Sequence, residues 1–589
     1  MRRIVLAAIS FLLAIAPGCG PSPNGTGAGG AASGPPRSVV LVTVEAIRPD
    51  LLSTYGGDVP MPGLDRLAAR GVVFEDAATV CPMARPSLAT IMTGLAPDRS
   101  GVRDDVTDRL PADATTVASL FKATGHETAA FVTTPFASYS AGFDRGFGLF
   151  DGPDDDAVGP ARYLPRASRG ESAAGNFAKW ISGLGKEKTL FAWVHLADMQ
   201  WATGRRGAEG PDKVYRAWLP ATDKAIGQIE DAIEKAGRSG GTEILVVGTH
   251  GTHLGEDGAL GGSFWLDAAT LRVPLVWAGP GAESLRSKGQ RDERKVWLPD
   301  VAATLGALAN GRLGGRAEGI DLRGEARAAP ARTRFAWTWA PDDQLAWPPL
   351  TAVEERAAGW RAFDSTALSD PSPSQDGAKA AAAARPAMPR NLRLSPEMRQ
   401  EVLDAGVVLG REAPMTAPAP ERRNGIIEKI LALRQLAAGP GPRKAAAEFE
   451  EIEKSLPDNF AALTHRIQVA VSFEQKDTAA TVASRLLASY PERPESLHWA
   501  AHAWWLAKDY AKVQALLDAT VSLGRVEPEV YYDLACVRAL QKDPNGAMEH
   551  LREAVDAGYR NWSWIERDPD LSSVRPDPKW AEFLKAHGR

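Results

Sequence analysis

His250 and His253, with Glu256 three residues further on, have side chains that suit a transition metal, since imidazole and carboxylate lone pairs bind zinc and its neighbours. The same segment carries Gly248, Gly251 and Gly255, so a plain glycine-rich turn is the competing reading. Ser87, Thr90 and Ser100 carry hydroxyls that become nucleophiles only when a base removes the proton. No base is visible for them in the sequence, and helix capping and packing account for all three. Cys19, Cys81 and Cys536 are too few and too widely spaced for a disulfide scaffold. Cys81 and Cys536 read as unpaired structural thiols in different domains.

Such groups need elements to hold them. Residues 38–45 form a β-branched apolar run, the pattern of a strand buried on both faces. Residues 129–132, 190–196, 243–247 and 273–277 are further strands of this kind. Helical patterns separate them, at 64–69, 116–124 and 221–236. Strands alternating with helices predict an α/β domain around a mostly parallel sheet. Ligands of such sheets bind beyond the carboxyl ends of the strands, and Glu45 and Thr249 stand at two such ends. From Arg332 to Asp364 short segments rich in Trp and Phe predict a small antiparallel sheet. An Ala/Pro/Ser tract, 371–390, has little periodicity; a short helix, 396–404, and a Pro-rich linker follow.

The 589 residues are too many for one ordinary domain. There are 68 basic and 73 acidic residues, a net charge of -5, and no basic run, which argues against nucleic-acid binding. Arg2 and Arg3 precede an apolar run, Ile4 to Ala16, too short to span a bilayer and suited to a signal-peptide core. Ala16-Pro17-Gly18-Cys19 then resembles a bacterial lipoprotein processing site, in which Cys19 is lipidated. Ordinary cleavage into the periplasm is the alternative. The expected location is the bacterial cell envelope: a protein lipid-anchored to a membrane, facing the periplasm or exterior, with residues 20–37 as a flexible tether.

Beyond Asn424 the pattern is helical throughout. Gln475-Lys476-Asp477, Ala507-Lys508-Asp509 and Gln541-Lys542-Asp543 recur at spacings of 32 and 34, each between two Ala-rich amphipathic stretches. Paired helices at this period resemble tetratricopeptide repeats. Ala500, Ala511, Ala535 and Ala547 are expected to let neighbouring helices approach closely. The resemblance implies a protein partner, of unknown identity, on the repeats.

An ordered series of segments carries a second resemblance. Ser38 to Glu45 with Arg48-Pro49-Asp50, Pro62 to Ala68, Gly71 to Phe74, Pro82 to Gly94, His195 to Asp198, Gly248-Thr249-His250-Gly251, Arg272 to Leu275 and Leu298-Pro299-Asp300 together resemble the sulfatase-like family of the alkaline phosphatase superfamily. The resemblance covers residues 38–410. It implies a sandwich around a mostly parallel sheet with a small antiparallel subdomain. It also implies one or two hard cations held by carboxylates, and a Ser, Thr or formylglycine nucleophile attacking sulfur or phosphorus.

At the positions this family uses, the side chains differ. The first metal aspartate is Glu45, one methylene longer, and the next ligand position is Ala46. The nucleophile position, ten residues after Phe74 and nine before Thr93, is Ala84. Leu88, Ser100, Gln200 and Thr249 replace His or Arg, His, His and the second metal aspartate. Only His250 clearly fits. Cys81 and Arg85 have the spacing of a formylglycine signature, but Met83 stands at its proline and Cys81 falls three residues early.

These readings give a lipoprotein-type signal at 1–19, a tether at 20–37, a sulfatase-like α/β domain at 38–325, a small subdomain and linker at 326–410, a linker at 411–423 and tetratricopeptide-like repeats at 424–589. The nucleophile position is vacated at Ala84, and Glu45 and His250 remain as metal-ligand candidates. No cofactor is expected, with calcium or another divalent cation bound if the site still functions. The expected function is a catalytically inactive envelope scaffold or binding protein. Two alternatives remain open: an ester hydrolase with a rebuilt site using Glu45, Asp50, His250, His253 or Glu256, and an envelope assembly protein.

Overall fold

The structure is a computed structural model. It describes residues 37–338 apart from 106–107, 112, 140, 153–168, 203–209, 257–258, 286–289, 316 and 325–333, then 350–355, 359–364, 394–409, 454 and 458–587 apart from 525–526 and 560. Cys19, residues 20–36 of the tether, the 371–390 tract and the 411–423 linker lie outside the described residues. Among the described residues no helix is long and apolar enough to cross a membrane.

In chain order the strands are β1 (Ser38–Val44), β2 (Gly71–Ala78), β3 (Glu127–Val132), β4 (Leu149–Asp151), β5 (Leu190–Leu196), β6 (Thr242–Gly248), β7 (His253–Leu254), β8 (Leu260–Gly261), β9 (Leu275–Ala278), β10 (Gln290–Trp297), β11 (Phe335–Thr338), β12 (Leu350–Glu355) and β13 (Gly359–Asp364). Eight of them form one sheet in the order β10-β2-β9-β6-β1-β5-β3-β4. β1 lies between β5 and β6, parallel to both, and β9 runs antiparallel to β2 and β6.

The continuous apolar runs follow from burial of both faces of this sheet. Val39, Leu41, Trp193 and Val247 point into one core with Leu88, Ile91, Phe121 and Leu305, from helices Ala84–Thr93, Val117–Ala123 and Leu298–Leu308. Val40, Val42, Val194 and Val246 point into the other with Leu64, Phe177 and Ile229, from helices Pro62–Ala69, Gly170–Ser182 and Pro211–Lys235. The last of these starts ten residues before the predicted 221. It runs through Pro220, which removes one backbone donor without ending the helix. β11, β12 and β13 form the antiparallel sheet expected between Arg332 and Asp364.

The C-terminal region is helical. Helices Phe460–Ser472 and Lys476–Ser489, Pro494–Leu506 and Tyr510–Ser522, Pro528–Leu540 and Pro544–Asp556 follow one another as hairpins. Glu474, Lys508 and Lys542 take left-handed backbone (φ 55°, 62° and 64°) at equivalent turns, so the period is 34 in both intervals. The tripeptide starting at Gln475 is therefore two residues out of register with the other two. Ala500, Ala535 and Ala547 are fully buried between helices, whereas Ala511 is exposed and Val513 takes the position equivalent to Ala547. Helix Pro396–Asp404 packs with these hairpins through Val402.

Candidate functional site

Three parallel strands end side by side. The Glu45 N–H donates to Leu196 O at 3.0 Å, Thr249 N–H to Val44 O at 2.9 Å and Ile47 N–H to His250 O at 2.9 Å. These bonds stitch the residues after β1, β5 and β6 into one floor. Ala46 is held there at φ 50°, left-handed backbone that alanine rarely adopts.

Glu45 is completely buried, and its Oε1 lies 2.8 Å from His195 Nε2. His195 Nδ1 is 2.6 Å from Thr43 Oγ1, and Trp193 Nε1–H donates to the same oxygen at 2.8 Å. The indole N–H takes one lone pair of Thr43 Oγ1 and leaves the Thr43 proton available to Nδ1, an arrangement in which the His195 Nε2–H goes to Glu45. Every polar atom of this row is satisfied except Glu45 Oε2, which is buried and has no hydrogen-bond partner.

The Ala84–Thr93 helix carries the position that the resemblance gives to the nucleophile. Ala84 is buried and offers a methyl group. Ser87 Oγ donates to Cys81 O at 2.7 Å and Thr90 Oγ1 to Leu95 O at 2.8 Å, so both hydroxyls serve the backbone. Ser100 Oγ accepts from Val102 N–H at 3.2 Å. Cys81 is fully buried. Arg85 donates from Nε to Phe136 O at 2.7 Å and from Nη1 to Asp108 O at 2.8 Å, which turns its guanidinium toward the loop backbone. A Cβ at Gly262 would lie 3.1 Å from Gly251 O, 3.3 Å from Pro82 O and 3.4 Å from His250 Nδ1. The β7–β8 hairpin thus presses the His250 turn against the segment entering Ala84.

Asp105, which sequence reasoning missed, belongs to this site. Its Oδ1 accepts the Arg85 N–H at 2.8 Å. Burial pushes its carboxyl up to about 7, with the nearby Glu45 charge adding to the rise and Arg85 opposing it. No motif marks it. His250 also belongs here: burial lowers its pKa, while Gly251 O, 2.8 Å from Nδ1, and Glu45 act the other way.

The remaining candidates point elsewhere. His253 Nε2 lies 2.7 Å from Asp267 Oδ2. Arg48 holds Asp50 through two hydrogen bonds, 2.8 and 2.7 Å, and Glu256 through one of 2.8 Å. Burial raises the Asp50 and Glu256 carboxyls, but hydrogen bonds (from Arg48 to both, and from the Leu254 N–H to Glu256) and the Arg48 charge outweigh it and leave both below their ordinary range. His250, His253 and Glu256 are not gathered into one ligand set. Gln200 lies in the short helix Asp198–Ala202.

A calcium ion takes six to eight oxygen ligands. The strand ends supply one carboxylate already engaged by His195, a methyl at Ala46, and a Thr249 hydroxyl that donates, at 3.4 Å, to Val44 O. The strand-end donors alone fall short of the six to eight oxygens such an ion takes.

The family model described as Sulfatase matches residues 37–311. A Delta 4,5-hexuronate-2-O-sulfatase of Bacteroides thetaiotaomicron is 36% identical over 98 residues, 16% of this chain and 19% of that protein. An ulvan-active sulfatase of Formosa agariphila is 24% identical over 322 residues, 46% of this chain and 61% of that protein. The chain thus spans less than two thirds of the length of these curated relatives. A solved phosphonate monoester hydrolase of Agrobacterium radiobacter aligns over 59% of this chain and 94% of its own, at 18% identity and a TM-score of 0.45. Residues 37–311 are a sulfatase-like domain of the alkaline phosphatase superfamily, and a helical C-terminal region follows it.

Proposed function

We propose that the sulfatase-like domain no longer hydrolyses esters and that the chain serves the cell envelope as a scaffold or binding protein. The observation that carries this reading is the pairing of Glu45 with His195, together with a methyl group at Ala84, the position that the resemblance gives to the nucleophile. The carboxylate best placed to hold a cation gives one of its two oxygens to a histidine, and the position assigned to the nucleophile carries a methyl group. A fold can outlive its chemistry, because activity resides in a few side chains. The helical hairpins are read as tetratricopeptide-like repeats that hold a protein partner, and Cys19 as the lipid-anchored N-terminus.

A second reading keeps an ester hydrolase with a rebuilt site. The bare Glu45 Oε2 and the near-neutral Asp105 carboxyl favour it, since a group titrating near neutral pH is suited to proton transfer. Its substrates would be sulfated carbohydrates, as the names of the relatives suggest. A role in envelope assembly is the third reading.

The test is turnover by the full chain on sulfate, phosphate and phosphonate monoesters, with calcium or manganese added. No turnover above a protein-free control is expected. Turnover that disappears in His250→Ala would overturn the proposal. For the anchor, Cys19→Ser is expected to release the protein from sedimented membranes, and retention there would refute lipidation.

A further inference from the structure

A second convergence of ligating side chains lies in the helical region. His498 and His502 are one turn apart on helix Pro494–Leu506, so both rings leave the same face. Asp533 lies on helix Pro528–Leu540, the first helix of the next hairpin. All three are buried. His498 Nε2 is 3.1 Å from His502 Nε2 and 3.3 Å from Asp533 Oδ2, and His502 Nε2 is 3.5 Å from the same oxygen. Among the described residues no other three His, Cys, Asp or Glu side chains bring ligand atoms together in this way.

These distances are those of coordination. A tetrahedral ion with bonds of about 2.0–2.1 Å holds its ligand atoms about 3.3 Å apart. The three observed edges bracket that value. Hydrogen bonds between a charged ring and a carboxylate are shorter, about 2.7–2.9 Å. The Trp499 ring lies 6.3 Å from the His498 ring and 5.5 Å from the His502 ring, which restricts both imidazoles.

We propose that His498, His502 and Asp533 bind zinc or a similar borderline divalent cation, which clamps two successive helical hairpins. Two imidazoles and one carboxylate suit such an ion, whereas calcium and magnesium prefer oxygen ligands alone. Three protein ligands leave the fourth tetrahedral position to water or an exogenous donor.

The experiment is titration of the untagged, chelator-stripped full chain with zinc chloride, followed by calorimetry and thermal unfolding. Cobalt chloride in place of zinc supplies the visible spectrum that reports geometry. The expected result is one ion per chain, a higher Tm with zinc and a tetrahedral cobalt spectrum. His502→Ala and Asp533→Asn are each expected to weaken zinc binding at least roughly tenfold. His550→Ala, whose ring pairs with Glu553, is expected to keep the parental affinity. Should a ligand variant fail to fold, the parent alone decides: no bound zinc and no rise in Tm overturn the site. One zinc whose affinity is unchanged in both ligand variants places the ion elsewhere and overturns it equally.

Discussion

Glu45 Oε1 lies 2.8 Å from His195 Nε2, across the carboxyl ends of two neighbouring parallel strands. Both side chains are fully buried. The pair continues through Thr43 to Trp193, so the carboxylate closes a row of hydrogen bonds running back into the sheet. Glu45→Ala leaves the His195 Nε2–H buried without an acceptor. An unmet buried donor costs about 1–3 kcal/mol. A Tm lower than the parent's by several degrees is expected from scanning calorimetry, with or without calcium. If calcium instead raises the parent's Tm and Glu45→Ala abolishes that rise, the carboxylate is a cation ligand.

Ala84→Ser puts a hydroxyl at the start of the Ala84–Thr93 helix. Attack on an anionic ester still requires positive charge to offset the charge that develops. Ala46 and Thr249 provide no carboxylate to hold a cation there. The single variant is therefore expected to hydrolyse no sulfate or phosphate ester above the parent's background. Measurable release of product by Ala84→Ser alone would mean that the pocket still binds and stabilises a tetrahedral or in-line transition state.

Asp105 sets a pH dependence. Burial raises its carboxyl from the ordinary 3.8 to about 7. A folded-state pKa above the unfolded value means that the folded protein holds the proton more tightly. The associated stability is full below the unfolded pKa and is lost as pH rises through the folded one. Asp105→Asn retains an oxygen for the Arg85 N–H but carries no charge. The variant is expected to match the parent near pH ~4 and to be the more stable of the two near pH ~8. Urea unfolding at the two pH values checks this, and a gap that narrows with rising pH would contradict it.

Much of this architecture is legible in the chain because it is written in short-range pattern. The runs at Val39–Val42, Leu190–Val194 and Ile244–Val247 are apolar on successive residues, and only a strand covered on both faces needs that. β10 was not legible. It is an edge strand reading Gln-Arg-Asp-Glu-Arg-Lys-Val-Trp, with a register shift between Asp292 and Lys295 and a buried Arg294–Asp292 pair at 2.8 Å. Charges and irregular pairing are what protect an edge, and they erase the apolar signal. At the site, Glu45, Ala46, Ala84 and Thr249 were found from ordered motifs. Glu45's partner and Asp105 were not, since the first contact joins residues 150 positions apart and the second lies in a loop without a motif. Asp533 escaped for the same reason. His498 and His502 share a helical face by spacing alone, but only the stacking of successive hairpins brings the carboxylate to them.

The helical region is joined to the sulfatase-like domain by burial. Ala461, Ala462 and Val469, on helix Phe460–Ser472, belong to the same apolar cluster as Leu88, Trp193 and Val301. Ala462 is fully buried, so its neighbours approach a methyl group closely. Ala462→Glu forces a larger, ionisable side chain into that contact. Burying an unpaired charge belongs to the short set of changes that cost more than about 3 kcal/mol. In the parent, tryptophan fluorescence, which comes from both regions (Trp193 and Trp277 in one, Trp562 and Trp580 in the other), and the helical circular dichroism signal are expected to be lost in one coincident thermal transition. In Ala462→Glu both signals are expected to fall in two steps, the first at a lower temperature than the parent's transition. Two separate transitions already present in the parent would show that the docked helix contributes little, and that the domain and the hairpins fold as independent units.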